Sequence, residues 1–339
     1  MSADELSPRD ALLRMTNAHE VSQAIHVVAT LGIADLLKEE PRSAEGLAKD
    51  TGTHAPTLYR LLRALASVGV FVEETDGGRF GSTPVGEYLR TDAPGSLRAW
   101  AMYIGQPSFR TSWGYLLHSV RTGEPAFSEL HETNVWEYLA AHPEESAIFD
   151  AAMTGLSAGV AEAVVQSYDF SEIDVLVDVG GGEGRILTAI LAANPVLRGI
   201  LFDQSHVVAG AEDLLARVGV ADRCEVVSGN FFEEVPGGAD AYLLKSIIHD
   251  WDDDASIEIL HKCRAAIADT GRLLLVELVI QPGNEPDRAK FSDLNMLVLL
   301  GGRERTSNDF ERLYAEAGFR LTDIISTGTP FYIIEGVPA

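Results

Sequence analysis

Positive charge is scarce in this sequence. Its 26 lysines and arginines stand against 51 aspartates and glutamates, for a formal net charge of −25 at pH 7. A surface of that sign argues against nucleic acid or an anionic membrane as partner and favours a cationic ligand. Cysteine is scarcer still. Cys224 and Cys263 form no CxxC pair, and two thiols make no disulfide framework, so a reducing, cytoplasmic setting is expected. The opening stretch MSADELSPRD lacks the apolar segment of a secretory signal, and runs such as LLLVELVI are too short to span a bilayer. Two nucleotide signatures are also missing. GxGxxG fails at Arg185 when started from Gly180 and at Leu187 when started from Gly182, and GxxxxGK[ST] does not occur. Neither a dinucleotide nor a nucleoside triphosphate is therefore expected. Along the chain no histidine and carboxylates stand at metal-ligand spacing, and no metal is expected.

What is present divides into two patterns. The 339 residues, 46% of them hydrophobic, suffice for two domains with substantial cores. The first half reads as mostly helical. DALLRMTNAHEVSQAIHVVATLGIADLL has helical apolar spacing without proline. SAEGLAKDTGTHAPTLYRLLRALASVGVFVEE then gives a helix, a turn, a second helix with Leu58, Leu61, Leu62 and Leu65 on one side, and a strand. GGRF follows as a hairpin turn, which completes a winged-helix pattern. The second helix carries only Arg60 and Arg63 as cations, too few for a DNA reader, so a scaffold for dimer contacts is the better reading.

From about Asp174, short buried strands alternate with helices: VLVDVGGG, GILFDQS, CEVVSGN, AYLLKS, RLLLVEL and FYIIEG. That alternation predicts a doubly wound α/β sheet with its ligand at the carboxyl ends of the strands. The loop DVGGGEG, Asp178 to Gly184, lies at one such end, where glycine permits close backbone approach to a ligand. Asp203 ends the next strand and is placed to accept from ribose hydroxyls, although a turn aspartate would look the same. Asn230 and Phe231 end the third, facing the edge and the face of a base. The three tips describe a nucleoside site that makes no demand for a pyrophosphate. KSIIHDWDDD follows the AYLLKS strand. Capping of a helix N-terminus explains Asp252, Asp253 and Asp254 but leaves His249 and Trp251 unexplained.

Taken together, LVDVGGGEG, FDQSHVV, GNFFEEVPGGADAYLLKSIIHDWDDD and GGRERT resemble the S-adenosylmethionine-dependent O-methyltransferases of class I, caffeate type, whose bacterial relatives tailor aromatic natural products. The resemblance runs over nearly the whole chain. It implies an α/β, Rossmann-like methyltransferase sheet behind a mostly helical, winged-helix-like dimerisation domain. It sets boundaries at 1–100 for dimerisation, 101–165 for a helical linker that lines the substrate, and 166–339 for the catalytic domain. Gly180 and Gly182 are then expected at the methionine part of the cofactor, Asp203 at the ribose, and Asn230 and Phe231 around the adenine. Trp251 packs nearby, Lys245 lines the site, and Ser157 in FDAAMTGLS lies near the cofactor carboxylate. The family usually has aspartate where Asn230 stands, but an asparagine carbonyl still accepts from an adenine amino group. Met153, Asn295 and Met296 are implied on the substrate side. Trp113, Phe127, Trp136 and Phe149 are further candidates there, although each taken singly is better explained as plain core.

The chemistry accounts for the histidine. A phenol is mostly protonated near neutral pH, and an imidazole within reach can take its proton as the oxygen attacks. The resemblance assigns that base to His249, with Glu277 and Glu304 holding the ring and its tautomer. The implied activity is methyl transfer to a hydroxyl of a small aromatic compound, a phenol or hydroxyquinone, by a homodimer. The alternatives are hydroxylation, decarboxylation or N-methylation on the same scaffold, and a winged-helix regulator that senses a ligand.

Overall fold

The computed structural model describes residues 7–75 and 77–339; most of the polar opening stretch, and Asp76 in the wing, lie outside the described residues. The chain forms two compact units. One takes in the chain up to Thr111 together with Trp136–Ala158, the other Ser112–Val135 together with Gly159–Ala339.

In the first unit the helix Ala44–Thr51 starts at Ser43, whose hydroxyl accepts from the Gly46 N–H at 3.1 Å, and ends at Gly52 with φ +66°. The helix Ala55–Ala66 buries Leu58, Leu62 and Leu65, with Leu61 half-buried beside them. Arg60 and Arg63 face solvent. Three short strands, β1 (Arg42–Ser43), β2 (Phe71–Glu73) and β3 (Arg79–Ser82), pair antiparallel in the order β1-β3-β2. The wing turn is shorter than the sequence reading: Gly77 and Gly78 take positive φ, while Arg79 and Phe80 already pair in β3. The helix Pro8–Thr16 buries no residue and leaves Leu12, Leu13 and Met15 exposed.

One helical stretch bears on the expectation that no run spans a bilayer. Pro143–Ser167 is a helical stretch of 25 residues, apolar enough to pass for a bilayer span by length and composition. Gly159, at φ +78°, interrupts it. The helices on either side, Pro143–Leu156 and Val160–Ser167, have 14 and 8 residues, each short of the roughly 20 that a span needs.

The second unit is built on one sheet. Its strands are β4 (Val175–Val179), β5 (Arg198–Asp203), β6 (Cys224–Ser228), β7 (Ala241–Lys245), β8 (Arg272–Ile280), β9 (Arg305–Thr306), β10 (Phe319–Ser326) and β11 (Phe331–Pro338). The order is β10-β11-β8-β7-β4-β5-β6, with β9 joining the end of β8. The run from β8 to β6 is parallel, whereas β11 lies antiparallel to both β8 and β10. Helices cover both faces. Arg185–Ala193 sends Ile186, Leu187, Ile190 and Leu191 into one core, and Asp253–Ala266 sends Ile259, Leu260 and Cys263 into the other. The sequence reading missed β10. Its FRLTDIIS buries Phe319 alone, and Arg320, Thr322 and Asp323 break up its apolar residues, so it shows no continuous apolar run. From β4 the chain moves to β5 and β6, then returns to place β7 on the other side of β4. The crevice at that reversal, at the carboxyl ends, is the expected ligand position.

Candidate active site

The glycine loop is tied down at this crevice. Gly180 and Gly181 both donate to the Phe202 carbonyl, at 2.8 and 3.3 Å. Gly180 and Gly182 have φ of +69° and +61°, and a Cβ on Gly180 would stand 2.5 Å from the Ile247 side chain. Asp203 closes the loop from β5: its Oδ2 accepts from the Gly182 N–H at 2.9 Å and its Oδ1 from the Gln204 N–H at 2.7 Å. Beneath lies Asp178, buried, with neither oxygen hydrogen-bonded among the described residues. Burial, and then the charge of Asp203, push its carboxyl up to about 7.

Three aromatic rings converge beside the loop. Trp251 packs edge-on against Phe232 at 4.8 Å and Phe231 at 6.3 Å. Asn230 is exposed and engaged locally. Its side-chain oxygen accepts from the Phe232 N–H at 3.0 Å and its amide donates to Glu233 at 3.4 Å. Lys245 ends β7 with its ammonium 5.4 Å from the Phe331 ring centre. Burial lowers its pKa against the opposing pull of Glu277, Asp178 and Asp250. The edge as a whole suits a nucleoside joined to an amino acid: a buried unpaired acid for an ammonium, an acid at the second strand tip for a diol, and aromatic faces for a base.

His249 lies just beyond β7, in a short turn that begins at Ser246, which has φ +54°. The three residues of the sequence reading meet here. Glu304 Oε1 stands 3.0 Å from His249 Nδ1, a hydrogen-bond distance, while Glu277 Oε2 stands 3.8 Å away, too far for one. Glu277, buried in the middle of the sheet, uses Oε1 instead to accept from the backbone N–H groups of Ile247 and Ile248, at 3.1 and 2.9 Å. On the other side of the ring, Asp250 Oδ1 lies 3.4 Å from Nε2. Burial disfavours a charged imidazole, but Glu277, Asp250 and Glu304 outweigh it and raise His249 to about 10. The carboxyls respond in turn: burial pushes Glu277 up to about 7 and Asp250 up to about 6. Ligand-type atoms of His249, Glu277 and Glu304 lie within 4.8 Å of one another. They are far apart along the chain, so the absence of ligand spacing in the sequence did not reveal this grouping.

Other residues of the site carried no signal in the sequence. Ser292 donates to Glu304 Oε1 at 2.6 Å, and Asp293 accepts from the Glu304 N–H at 3.0 Å; both stand on the helix Arg288–Leu299. Arg305, next to Glu304, is 1% exposed. Nothing in the order of residues around a surface-type arginine announces such burial. On the same helix Asn295 accepts from the Trp113 indole N–H at 2.9 Å, and Met296 is buried. Phe127 is buried in this unit, 4.3 Å from the His131 ring. Met153 and Ser157 belong to the first unit, in the helix Pro143–Leu156 and at its C-cap. Trp136 and Phe149 belong there too, edge-to-face at 5.9 Å.

A doubly wound sheet with this strand order, a glycine loop and acid at its crevice, and a histidine flanked by carboxylates defines a methyltransferase of the S-adenosylmethionine-binding class. Residues 113–320 match the O-methyltransferase domain, and residues 13–92 match the O-methyltransferase dimerisation domain. The chain belongs to this family of S-adenosylmethionine-dependent O-methyltransferases. It is 47% identical over 327 residues to a phenazine O-methyltransferase of Lysobacter antibioticus, covering 96% of this chain and 95% of the other. Among solved structures it resembles an O-methyltransferase from neocarzinostatin biosynthesis in complex with S-adenosylmethionine and 2-hydroxy-5-methyl naphthoic acid. The TM-score is 0.80 at 34% identity, over 94% of this chain and 96% of that one. A relative with a different named activity is aclacinomycin 10-hydroxylase of Streptomyces purpurascens, 35% identical over 324 residues, 94% of this chain and 87% of the other.

Proposed function

We propose that the enzyme methylates a hydroxyl of a small aromatic natural product, a phenol or hydroxyquinone, with His249 as the general base. The observation that carries this reading is the imidazole itself, held at a strand tip by Glu304 through Nδ1, with Asp250 Oδ1 3.4 Å from Nε2, the nitrogen that would take the proton. When bound, S-adenosylmethionine supplies a methyl group on a sulfonium, already a good leaving group. The acceptor oxygen lacks nucleophilicity, and a base in reach contributes roughly 10²–10⁴-fold. Asp203 would hold the ribose, Asp178 the ammonium, and Gly180 and Gly182 the methionine chain. Phe231, Trp251 and Asn230 would frame the adenine, with Lys245 balancing the surrounding acids. Asn295 and Met296, on the helix Arg288–Leu299, would line the acceptor side.

The raised His249 pKa bears on this role. In the free protein the surrounding carboxylates keep the imidazole protonated near neutral pH, where it cannot act as a base. Docking of a cation nearby opposes that charge and favours its loss. Glu304 then keeps the proton on Nδ1 and leaves Nε2 to accept one.

A second reading is favoured by the hydroxylase relative: the same scaffold run as a hydroxylase that takes one oxygen atom from O2, the other leaving as water with two electrons from an external reductant, while the donor is bound but its methyl unused. The experiment that separates them is a screen of phenolic and hydroxyquinone compounds with labelled donor, read by mass. Gain of one methyl supports transfer. Gain of one oxygen with the donor intact sinks it.

A further inference from the structure

The strap from Ile248 to Asp253 carries both His249 and Trp251, one directed to acceptor chemistry and the other packed with the aromatic group near the glycine loop. A single buried guanidinium fastens both ends of it. Arg305 Nη1 donates to the Ile248 carbonyl at 2.8 Å, and Nη2 donates to the Trp251 carbonyl at 3.1 Å. It also donates to Asp253 Oδ1, from Nε at 3.0 Å and from Nη2 at 2.7 Å, and to the Arg303 carbonyl from Nη1 at 3.4 Å, with the Ser256 hydroxyl sharing the Nη2 hydrogens at 3.1 Å. Ser256, fully buried, itself donates to the Ile248 carbonyl at 3.3 Å.

We infer that Arg305 is a positioning residue that sets His249 and Trp251 together, so that one side chain governs both the placing of the base and the binding of the donor. Resting on the reading of His249 as base, this goes beyond it by linking the two halves of the site.

Three physical points support the inference. The two carbonyls that Arg305 holds flank His249 and Asp250, so neither end of the strap can shift while they stay bonded. Arg305 also follows Glu304 directly, which gives the strap two attachments to one chain segment: ring to carboxylate at Glu304, backbone to guanidinium at Arg305. A third is also donated by that segment, from the Arg303 N–H to the His249 carbonyl at 2.9 Å. Finally, the arrangement needs a planar fork. A lysine ammonium is a compact point charge and cannot reach two carbonyls and a carboxylate at once.

The test uses the full-length enzyme carrying Arg305→Lys or Asp253→Asn. Donor affinity is read by calorimetry, His249 titration by ¹⁵N-resolved NMR of the ring, turnover by methyl transfer, and folding by circular dichroism. Arg305→Lys should weaken donor binding several-fold. It should also lower turnover by up to about 10²-fold, the cost of a misplaced group, and move the His249 titration downward as the ring leaves Glu304. Asp253 is partly exposed and holds the guanidinium from outside, so its asparagine variant should fold and show the same three changes, each smaller. A stabilising role alone would lower the melting temperature and leave donor affinity and ring titration as in the wild type. That result in the folded variants overturns the inference. His249→Ala provides the separate check: wild-type turnover there removes the base reading, while the donor-affinity arm of the Arg305 test still decides whether the guanidinium positions Trp251.

Discussion

His249 hydrogen-bonds to Glu304 and meets Glu277 through charge alone. The imidazole Nδ1 is 3.0 Å from the first carboxylate and 3.8 Å from the second, whose hydrogen-bonded oxygen is taken up by the amides of Ile247 and Ile248. Two acids assigned one task by resemblance divide it: Glu304 holds the ring and Glu277 holds the turn beneath it.

Substitution should separate these roles. Glu277→Ala leaves two buried N–H groups without an acceptor, which should cost on the order of 2–3 kcal/mol of stability and appear as a lowered melting temperature. Glu304→Gln keeps an acceptor but removes a charge, so the fold should survive while the His249 pKa falls. Equal loss of stability in both variants would contradict the division.

His249→Ala should lower turnover by roughly 10²–10⁴-fold with donor affinity close to wild type. An acceptor whose hydroxyl is already ionised at the assay pH should be partly spared. Wild-type turnover of a weakly acidic phenol by this variant would remove the base assignment.

The pH dependence has a definite sign. His249 must lose its proton to act, and its neighbours raise its pKa from 6.5 to about 10 in the free protein. Activity should therefore rise with pH, the acid limb of kcat/KM lying above the ordinary histidine range, and the limb of kcat lying lower because the donor's positive charge is then present. Calorimetry in buffers of different ionisation heat should register proton release as the donor binds near neutral pH. A kcat/KM limb at or below 6.5, with no proton release, would tell against this account.

Asp203→Ala should weaken S-adenosylmethionine binding by about tenfold or more, since hydrogen bonds to a charged group are at stake. It should also loosen the glycine loop, whose Gly182 N–H it anchors, and increased amide exchange at Gly180–Gly182 would show that. Unchanged affinity would move the ribose contact elsewhere.

The dimerisation domain and the exposed Leu12, Leu13 and Met15 of the first helix predict a homodimer. Light scattering at micromolar concentration should give twice the chain mass; a monomer mass would refute it.

Much of this was legible because buried parallel strands write themselves as apolar runs: β4, β5, β7 and β8, and the antiparallel β11, were read from such runs, and the half-buried edge strand β6 from its short CEVVS. The edge strand β10 was not, since Arg320, Thr322 and Asp323 interrupt its apolar residues. At the site, His249 and Asp203 were visible because they interrupt the end of a strand. Ser292, Asp250 and Arg305 were not, because what matters in them is the distance to a segment remote in sequence or the direction a side chain takes, and neither leaves a periodicity. The local bond of Asn230 to the Phe232 amide was hidden for the same reason.

The antiparallel placing of β11 bears on how the enzyme comes into being. Glu277 sits opposite Tyr332, and β11 is the strand that gives β8 its second neighbour. During synthesis β8 therefore remains an open edge, with the carboxylate beneath the catalytic turn unsealed, until the residues after Phe331 have left the ribosome. Trimming the chain within 331–338 should then abolish activity as surely as removing the histidine, even though none of those residues has a part in the chemistry.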